Sequence, residues 1–239
     1  MNYPPWPQSK IRLYHHRIER SKRIPHKNIR DFCVKTDYQL FCIEARFRQA
    51  SFDASHGMVS TDDEAIASIA RSFGAAVPFM RSAESANDYA STDDVIAEVL
   101  RAYEAGGTRF DRFCCIYPTA PFVTAEKLKN AMALLDQAES VMPVVAFSYP
   151  PQRGIILENG RIRRKYPEFL TARSQDLEKM YHDCGQFYAC HTDAFFRDST
   201  TDVDDLVPMI MPEMEVQDID TEEDWAIAEL KYRKMQNLK

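Results

Sequence analysis

Two short stretches of this chain carry residue types and spacings suited to chemistry. Ser21-Lys22-Arg23-Ile24-Pro25-His26-Lys27-Asn28 is a basic loop near the start, and Gln217-Asp218-Ile219-Asp220-Thr221 lies near the end. In an extended segment alternate side chains share a face, so Asp218 and Asp220 point the same way and Ile219 points into the core. Two convergent carboxylates suit a hard cation such as Mg²⁺, which takes oxygen ligands and usually arrives with phosphates. A basic loop and a carboxylate pair together are what a chain needs to hold a metal-bound nucleoside triphosphate.

Regular elements must bring these two stretches together. Ser60-Thr61 follows a brief strand at Met58-Val59 and is placed to cap a helix from Asp62 to Phe73 that stops at Gly74. Tyr38–Ala50 reads as a helix, and Ala76–Phe79 as a short strand. Ser91-Thr92-Asp93-Asp94 opens a helix with a capping box, closed by Gly106-Gly107. Phe113–Tyr117 is an apolar run that reads as a central strand ended by Pro118. The next helix, Thr124–Ala138, has Leu128, Ala131, Leu134 and Leu135 spaced for one buried face, and Val141–Phe147 follows as a strand. Asn159-Gly160 between Ile155–Glu158 and Arg161–Arg163 is a strong hairpin signal. Strands at Gln186–Cys190, Val207–Met211 and Glu215–Asp220 lead to a last helix, Glu222 to about Gln236, capped by Thr221. The first strand is the poorest: Leu13–Ile18 lacks the continuous apolar run of a buried parallel strand.

Strands alternating with helices imply an α/β fold with a Rossmann-like nucleotide-binding, mainly parallel sheet and helices on both faces. The hairpin region, about 148–190, breaks that alternation and reads as a small β-containing insertion in a single domain spanning 1–239. At 239 residues and 45% hydrophobic the chain can bury a sizeable core. Its formal net charge of -6 argues against a nucleic-acid binder. The stretch Lys10–Arg30 carries eight Lys/Arg and one acid, but no aromatic stacking platform accompanies it. No run of about 18 apolar residues exists to span a membrane, and the six cysteines show no CxxC spacing, so the expected compartment is the cytoplasm with reduced thiols. His15 and His16, adjacent on a strand, would face opposite ways and make a poor metal site.

Further motifs fall in a recognisable order: Ser21–Ile29, Ser60-Thr61-Asp62-Asp63, Ala120-Pro121-Phe122, Arg173-Ser174-Gln175-Asp176, Tyr181–Tyr188 and Gln217–Thr221. In that order the chain resembles the acylneuraminate cytidylyltransferases, which activate nine-carbon acidic sugars as CMP-sugars. Asp31-Phe32-Cys33, Tyr117–Phe122 and the Tyr181–Tyr188 run make it most similar to the pseudaminic acid cytidylyltransferases. The resemblance covers residues 21 to about 233. It implies that the anomeric hydroxyl of an acidic nine-carbon sugar attacks the α-phosphate of CTP and pyrophosphate leaves, with Mg²⁺ as cofactor.

The same resemblance distributes roles over the motifs. Lys22 and Asp220 would be catalytic. Ser21, Lys22, Arg23, Lys27, Asn28, Ser60 and Arg81 would bind the nucleotide, with Lys22 and Lys27 on phosphates and Asn28 on cytosine. Arg173, Gln175, Tyr181 and Gln186 would face the sugar, Arg173 pairing with its carboxylate. Asp218 and Asp220 would hold Mg²⁺. A homodimer, in which the insertion reaches toward the partner's site, is also implied. The resemblance departs near the start. The family's apolar strand runs into Pro-Ala-Arg-Gly-Gly-Ser-Lys; the matching residues here are His16-Arg17-Ile18-Glu19-Arg20-Ser21-Lys22. Loop glycines let backbone N–H groups approach phosphate closely, and Glu19 adds negative charge instead. Val34 and Thr36 also stand where the family has Gly-Lys-Pro. A catalytically impaired homologue is therefore one alternative, and a sialic or legionaminic acid cytidylyltransferase is another.

Overall fold

The apolar run after Arg112 is buried on both faces, and the sheet is built outward from it. The computed structural model describes residues 10–15, 32, 56–72, 75–87 and 89–236. The first strands are β1 (Lys10–His15), β2 (His56–Ser60) and β3 (Arg112–Ile116). They are followed by β4 (Ser140–Ala146), β5 (Ile155–Glu158), β6 (Arg161–Arg164), β7 (Tyr181–Asp183), β8 (Phe187–His191) and β9 (Leu206–Ile210). The helices are α1 (Glu64–Ser72), α2 (Ala83–Ala86), α3 (Thr92–Ala105), α4 (Ala125–Leu134), α5 (Thr192–Asp198) and α6 (Glu222–Met235).

Among the described residues one sheet runs β2-β1-β3-β8-β4. β7 continues along the β8 edge of β4, pairing Val144 with Asp183, while β9 lies on the opposite edge and pairs Val144 with Ile210. β1 pairs parallel with β2 and β3, and β9 pairs parallel with β4. β8 is antiparallel to both β3 and β4, and β7 is antiparallel to β4. The expectation of a mainly parallel sheet is thus corrected to a mixed sheet, because β8 is threaded against its neighbours. A two-residue period looks the same in either direction, so the sequence pattern could not report it. β1, β2, β3, β4 and β9 nonetheless run the same way. Their C-terminal ends therefore meet the start of β8 at one edge of the sheet.

The pleat of β3 sorts the core into two layers. Cys114 and Ile116 pack with Val59, Phe187, Ala189 and the α4 residues Leu128 and Ala131. Phe113 and Cys115 face the other way, onto Ile96, Val99 and Leu100 of α3 and Phe195 of α5. Helices cover both faces, as the alternation implied. The helix expected at 62–73 starts later, at Glu64, because Asp63 Oδ1 takes the N–H groups of Ala65 and Ile66 at 2.7 and 3.2 Å. α5 was invisible beforehand: Thr192–Asp198 follows β8 without an intervening turn residue. The segment Glu215–Asp220 is not a strand but a short 3₁₀ turn at Glu213–Glu215 followed by extended chain. Ala76 contributes only an isolated bridge to Met58. The expected helix Tyr38–Ala50 lies outside the described residues, as do residues 16–18 of the expected Leu13–Ile18 strand, whose first half, Leu13–His15, falls in β1.

β5 and β6 form a separate hairpin, with Asn159 and Gly160 at φ 51° and 72°. Both residues of a type I′ turn need positive φ, which is what Asn-Gly supplies. α3 shows the capping box: Ser91 Oγ accepts from Asp94 N–H at 3.1 Å and Asp94 Oδ2 accepts from Ser91 N–H at 2.7 Å. The hydrogen bonds from Ser91 hold the Asp94 carboxyl below its ordinary pKa. Ser91→Ala should remove about 1 kcal/mol of stability, read from the urea midpoint, since an N-cap hydroxyl satisfies otherwise orphaned helix N–H groups.

Candidate functional site

In open α/β sheets, ligands bind outside the carboxyl ends of the strands. Here that edge gathers His15 at the end of β1, Ser60 at the end of β2 and Tyr117 just after β3. Tyr14 pairs with Ile116 and His15 with Ser60, so the three strand ends are level. The basic loop Ser21–Asn28, including Lys22, Arg23 and Lys27, lies outside the described residues, as does the altered Ile18-Glu19-Arg20. Its two nearest described neighbours are informative. Upstream is His15, at the sheet edge. Downstream is Phe32, which is 1% exposed and packs edge-to-face on Trp225 at 5.3 Å and on Tyr232 at 5.7 Å.

The same cluster contains Phe122 and Ile219, at 0% and 1% exposure. Three separate motifs, Asp31-Phe32-Cys33, Ala120-Pro121-Phe122 and Gln217–Thr221, thereby share one hydrophobic anchor. Ile219 is buried, while Asp218 and Asp220 on either side of it are exposed. That is the alternation expected of extended chain. Hard oxygen donors of this kind fit Mg²⁺, which is commonly held by one or two carboxylates with substrate phosphates supplying the rest. Among the described residues no group of three or more His, Cys, Asp or Glu side chains is arranged for a metal. A two-carboxylate site is consistent with that.

α6 begins directly after this pair. Thr221 Oγ1 accepts from Asp224 N–H at 3.2 Å, and Asp224 Oδ2 accepts from the N–H groups of Asp220 and Thr221 at 3.2 and 2.8 Å. Burial opposes ionisation of Asp224, but these hydrogen bonds prevail and its pKa lies below the ordinary value. The cap therefore occupies Asp224 and leaves the carboxylates of Asp218 and Asp220 outside the box.

Ser60 and Arg81 are brought together. The Arg81 guanidinium donates to Ser60 Oγ at 3.1 Å and to Ser60 O at 2.6 Å, and its backbone N–H donates to Thr61 O at 2.9 Å. Both residues are buried, at 2% and 6% exposure. Ser60 is thus a partner of Arg81 and takes no part in capping α1.

Of the four residues assigned to the sugar, Gln186 is buried at 2% exposure and its amide donates to Glu215 O at 2.7 Å. Only the NH₂ can donate to a carbonyl, so Gln186 Oε1 is the free acceptor, and it is buried without a hydrogen-bond partner. Gln175 sits on the exposed 3₁₀ turn at Ser174–Asp176 and Arg173 immediately precedes it, its Nε donating to Asp176 Oδ2 at 2.8 Å. Tyr181, on β7, has Lys179 Nζ 5.4 Å from its ring centroid.

Other polar residues at this edge had been given no role. Tyr117 shares a 2.5 Å hydrogen bond with Thr92 Oγ1 and packs edge-to-face on Tyr188, 5.7 Å away. The Tyr188 hydroxyl donates to Asp183 Oδ2, and Asp183 Oδ1 accepts from Gly185 N–H at 2.8 Å. Gly185 has φ 60°, which an L side chain rarely adopts, so the Asp183 contact holds a turn that needs glycine. Burial pushes the Tyr117 hydroxyl up to about 12. Burial and the neighbouring Asp183 carboxylate push Tyr188 well above the ordinary tyrosine value. Both stay protonated donors at neutral pH. Tyr117 had two signals, its place at the end of the central strand and its place in the Tyr117–Phe122 motif; Thr92 looked like an ordinary first-turn residue. Cys184 and Cys190 are buried, and burial raises both thiols to about 12, in keeping with structural cysteines.

Comparisons with known proteins identify the family. A family model described as cytidylyltransferase matches residues 19–203. The pseudaminic acid cytidylyltransferase of Campylobacter jejuni serotype O:2 is 33% identical over 216 residues, covering 89% of this chain and 92% of that protein. The CMP-N,N'-diacetyllegionaminic acid synthase of Legionella pneumophila is 27% identical over 219 residues, covering 87% and 90%. Among solved structures, a CMP:2-keto-3-deoxy-manno-octonic acid synthetase in complex with CTP superposes with a TM-score of 0.66 at 14% identity, covering 96% of this chain and 100% of that one. At that identity it bears on the fold alone. Family match, identity over most of both chains and a shared nucleotidyltransferase fold place the strand-end site in context: this chain belongs to the cytidylyltransferase family and is a CTP-using nucleotidyltransferase.

Proposed function

We propose that this enzyme transfers CMP from CTP to the anomeric hydroxyl of pseudaminic acid, an acidic nine-carbon sugar, and releases pyrophosphate. The anomeric oxygen forms a bond to the α-phosphorus as the bond to the pyrophosphate oxygen breaks, and the hydroxyl gives up its proton. The observation that carries the reading is the shared anchor of Phe32, Phe122 and Ile219, which ties the stretch after the basic loop to the carboxylate pair. Lys22 and Lys27, with Ser21 and Arg23 beside them, neutralise the triphosphate, and Asn28 reads the cytosine. Buried Arg81 fixes the end of β2 through Ser60. Asp218 and Asp220 would hold Mg²⁺, which when bound polarises the α-phosphate. Positioning and charge neutralisation, rather than covalent chemistry, supply the rate.

Arg173 is the partner for the sugar carboxylate, with Gln175 and Tyr181 beside it. Its contact to Asp176 is exposed, and an exposed ion pair is weak enough to exchange for a substrate carboxylate. Gln186 Oε1 is an acceptor for a hydroxyl or amide N–H of the sugar. Pseudaminic acid is preferred because the 33% identical relative bears that name, whereas the relative named for legionaminic acid is 27% identical. CMP-sugar formation measured with pseudaminic, legionaminic and sialic acids tests this: kcat/KM should be highest for pseudaminic acid, and a higher value for either rival would reassign the substrate.

The enzyme works as a cytoplasmic homodimer. Ile155, Leu157 and Ile162 share one face of the β5–β6 hairpin and are 52%, 74% and 68% exposed. An apolar face of this kind, on an arm with few contacts to the main sheet, is suited to a second copy. Leu157→Glu should convert the dimer to monomer in sedimentation analysis, with the melting temperature of the monomeric fold little changed. A wild-type protein that sediments as a monomer would refute the arrangement. No helix among the described residues is long and apolar enough to cross a membrane.

A further inference from the structure

Between β9 and α6 the chain must deliver Asp218 and Asp220 to the strand-end site, yet residues 211–221 belong to no strand. Among the described residues, the backbone hydrogen bonds of this strap include Met211 N–H to Val144 O at 2.8 Å, Glu215 N–H to Pro212 O at 2.9 Å, Val216 N–H to Glu213 O at 3.3 Å and, at the far end, Trp225 N–H to Thr221 O at 3.0 Å. Side chains from outside the strap hold its Glu213–Gln217 part as well. Lys231, on α6, donates to Val216 O at 2.7 Å, to Gln217 Oε1 at 3.1 Å and to Glu213 O at 3.3 Å. Lys127, on α4, donates to Phe122 O at 2.8 Å and pairs with the Glu215 carboxylate. Gln186, just before β8, donates to Glu215 O at 2.7 Å.

The Lys127 side chain is 13% exposed and that of Glu215 31%, so this pair is shielded and stronger than a surface bridge. Lys231 presents three donors and all three find acceptors on the strap, two of them main-chain carbonyls. A neutral side chain at that position would leave the Glu213–Gln217 part of the strap without these three hydrogen bonds to α6, while Ile219 stays packed on Trp225 and Ala228. Lys127 links the strap to the Ala120–Phe122 turn, and Phe122 also packs with Ile219. The anchored positions, Glu213, Glu215, Val216 and Gln217, thus lie one to five residues before Asp218.

We propose that Lys127, Lys231 and Gln186 are positioning residues that set the Asp218–Asp220 segment for the metal-bound triphosphate. This rests on the metal reading of Asp218 and Asp220 given above. Side chains that orient the ligands of a metal typically matter by 10- to 100-fold in metal affinity or activity.

The test compares CTP dissociation constants in excess Mg²⁺ and in EDTA, measured by calorimetry, for wild type, Lys231→Met, Lys127→Met and Asp220→Asn. Wild type should bind CTP more tightly with Mg²⁺. Lys231→Met and Lys127→Met should each lose most of that gain, roughly tenfold, while binding CTP in EDTA as wild type does. Lys231→Arg, which keeps donors in reach, should recover part of the gain. Unchanged metal gain in both Lys→Met proteins, with only a lowered melting temperature, would overturn the positioning role. If the lysine variants keep the gain and Asp220→Asn loses it, the metal reading stands and this proposal alone fails. If Asp220→Asn keeps the gain as well, both fail. Should either Lys→Met protein not fold, Glu215→Gln, which removes the charge that Lys127 pairs with, takes its place, and the same two dissociation constants decide the outcome.

Discussion

Asp220→Ala should lower Mg²⁺-dependent pyrophosphate release by about a thousandfold or more while leaving the melting temperature close to that of wild type. The size follows from the reaction. Charge develops on phosphate oxygens that no covalent group of the protein can absorb, and loss of one preorganised electrostatic element in such a site costs about 3–4 kcal/mol. On the proposal that Asp218 and Asp220 hold Mg²⁺, loss of one of the two carboxylates should cost at least as much. The small stability effect follows from the fold. Asp220 is exposed, and its N–H group, not its carboxylate, joins the α6 cap at Asp224 Oδ2. Alanine keeps that N–H. Steady-state kinetics over a Mg²⁺ series, with thermal denaturation alongside, checks both halves. A variant with near wild-type turnover would remove Asp220 from the site.

Phe32→Ala should have the largest effect on stability among the changes near the site. A buried phenylalanine truncated to alanine costs about 3–5 kcal/mol, through lost transfer free energy and the cavity left behind. Phe32 is 1% exposed and makes edge-to-face contacts with both Trp225 and Tyr232, so the upper part of that range applies. At about 2–4 °C per kcal/mol for a protein of this size, the melting temperature should fall by roughly 10 °C. A functional effect should accompany it. Phe32 is the described residue nearest the basic loop that packs with Ile219, so its loss separates the loop from the carboxylate pair and should raise the KM for CTP. Phe113→Ala is the control: it is equally buried, edge-to-face with Phe195 at 5.4 Å, but on the α3–α5 side of the sheet. At a temperature where both variants are folded, Phe113→Ala should keep the wild-type KM for CTP. Equal KM values for the two variants would show that Phe32 acts through stability alone.

What the sequence revealed depended on whether the signal was local. The α3 capping box, the Asn159-Gly160 turn and the burial of Ile219 between two exposed acids are decided within a few residues, and each was legible. The direction of β8 was not, because alternation along a strand carries no information about its neighbours. α5 was missed since Thr192 opens it straight from β8 with no turn signal. Ser60 read as a cap because it precedes a helical pattern; its partner Arg81 lies 21 residues on, and that contact depends on the tertiary fold. The same holds for Lys127 and Lys231. Nothing in a lysine 14 residues beyond Gln217 marks it as a donor to the Glu213–Gln217 strap. Motif residues such as Gln186 could be named from resemblance, but that its amide is committed to Glu215 and its carbonyl is left over is a matter of packing.

The most direct test of the account is pyrophosphate release by the wild-type protein with CTP and Mg²⁺, measured with and without pseudaminic acid. The account predicts release that requires both the metal and the sugar, with CMP-sugar formed in equal amount. Absence of release from folded, CTP-bound protein would contradict it. The altered residues Ile18, Glu19 and Arg20 would then be the first place to look, and activity regained on changing Ile18 to Arg and both Glu19 and Arg20 to Gly would mark the chain as a catalytically impaired homologue.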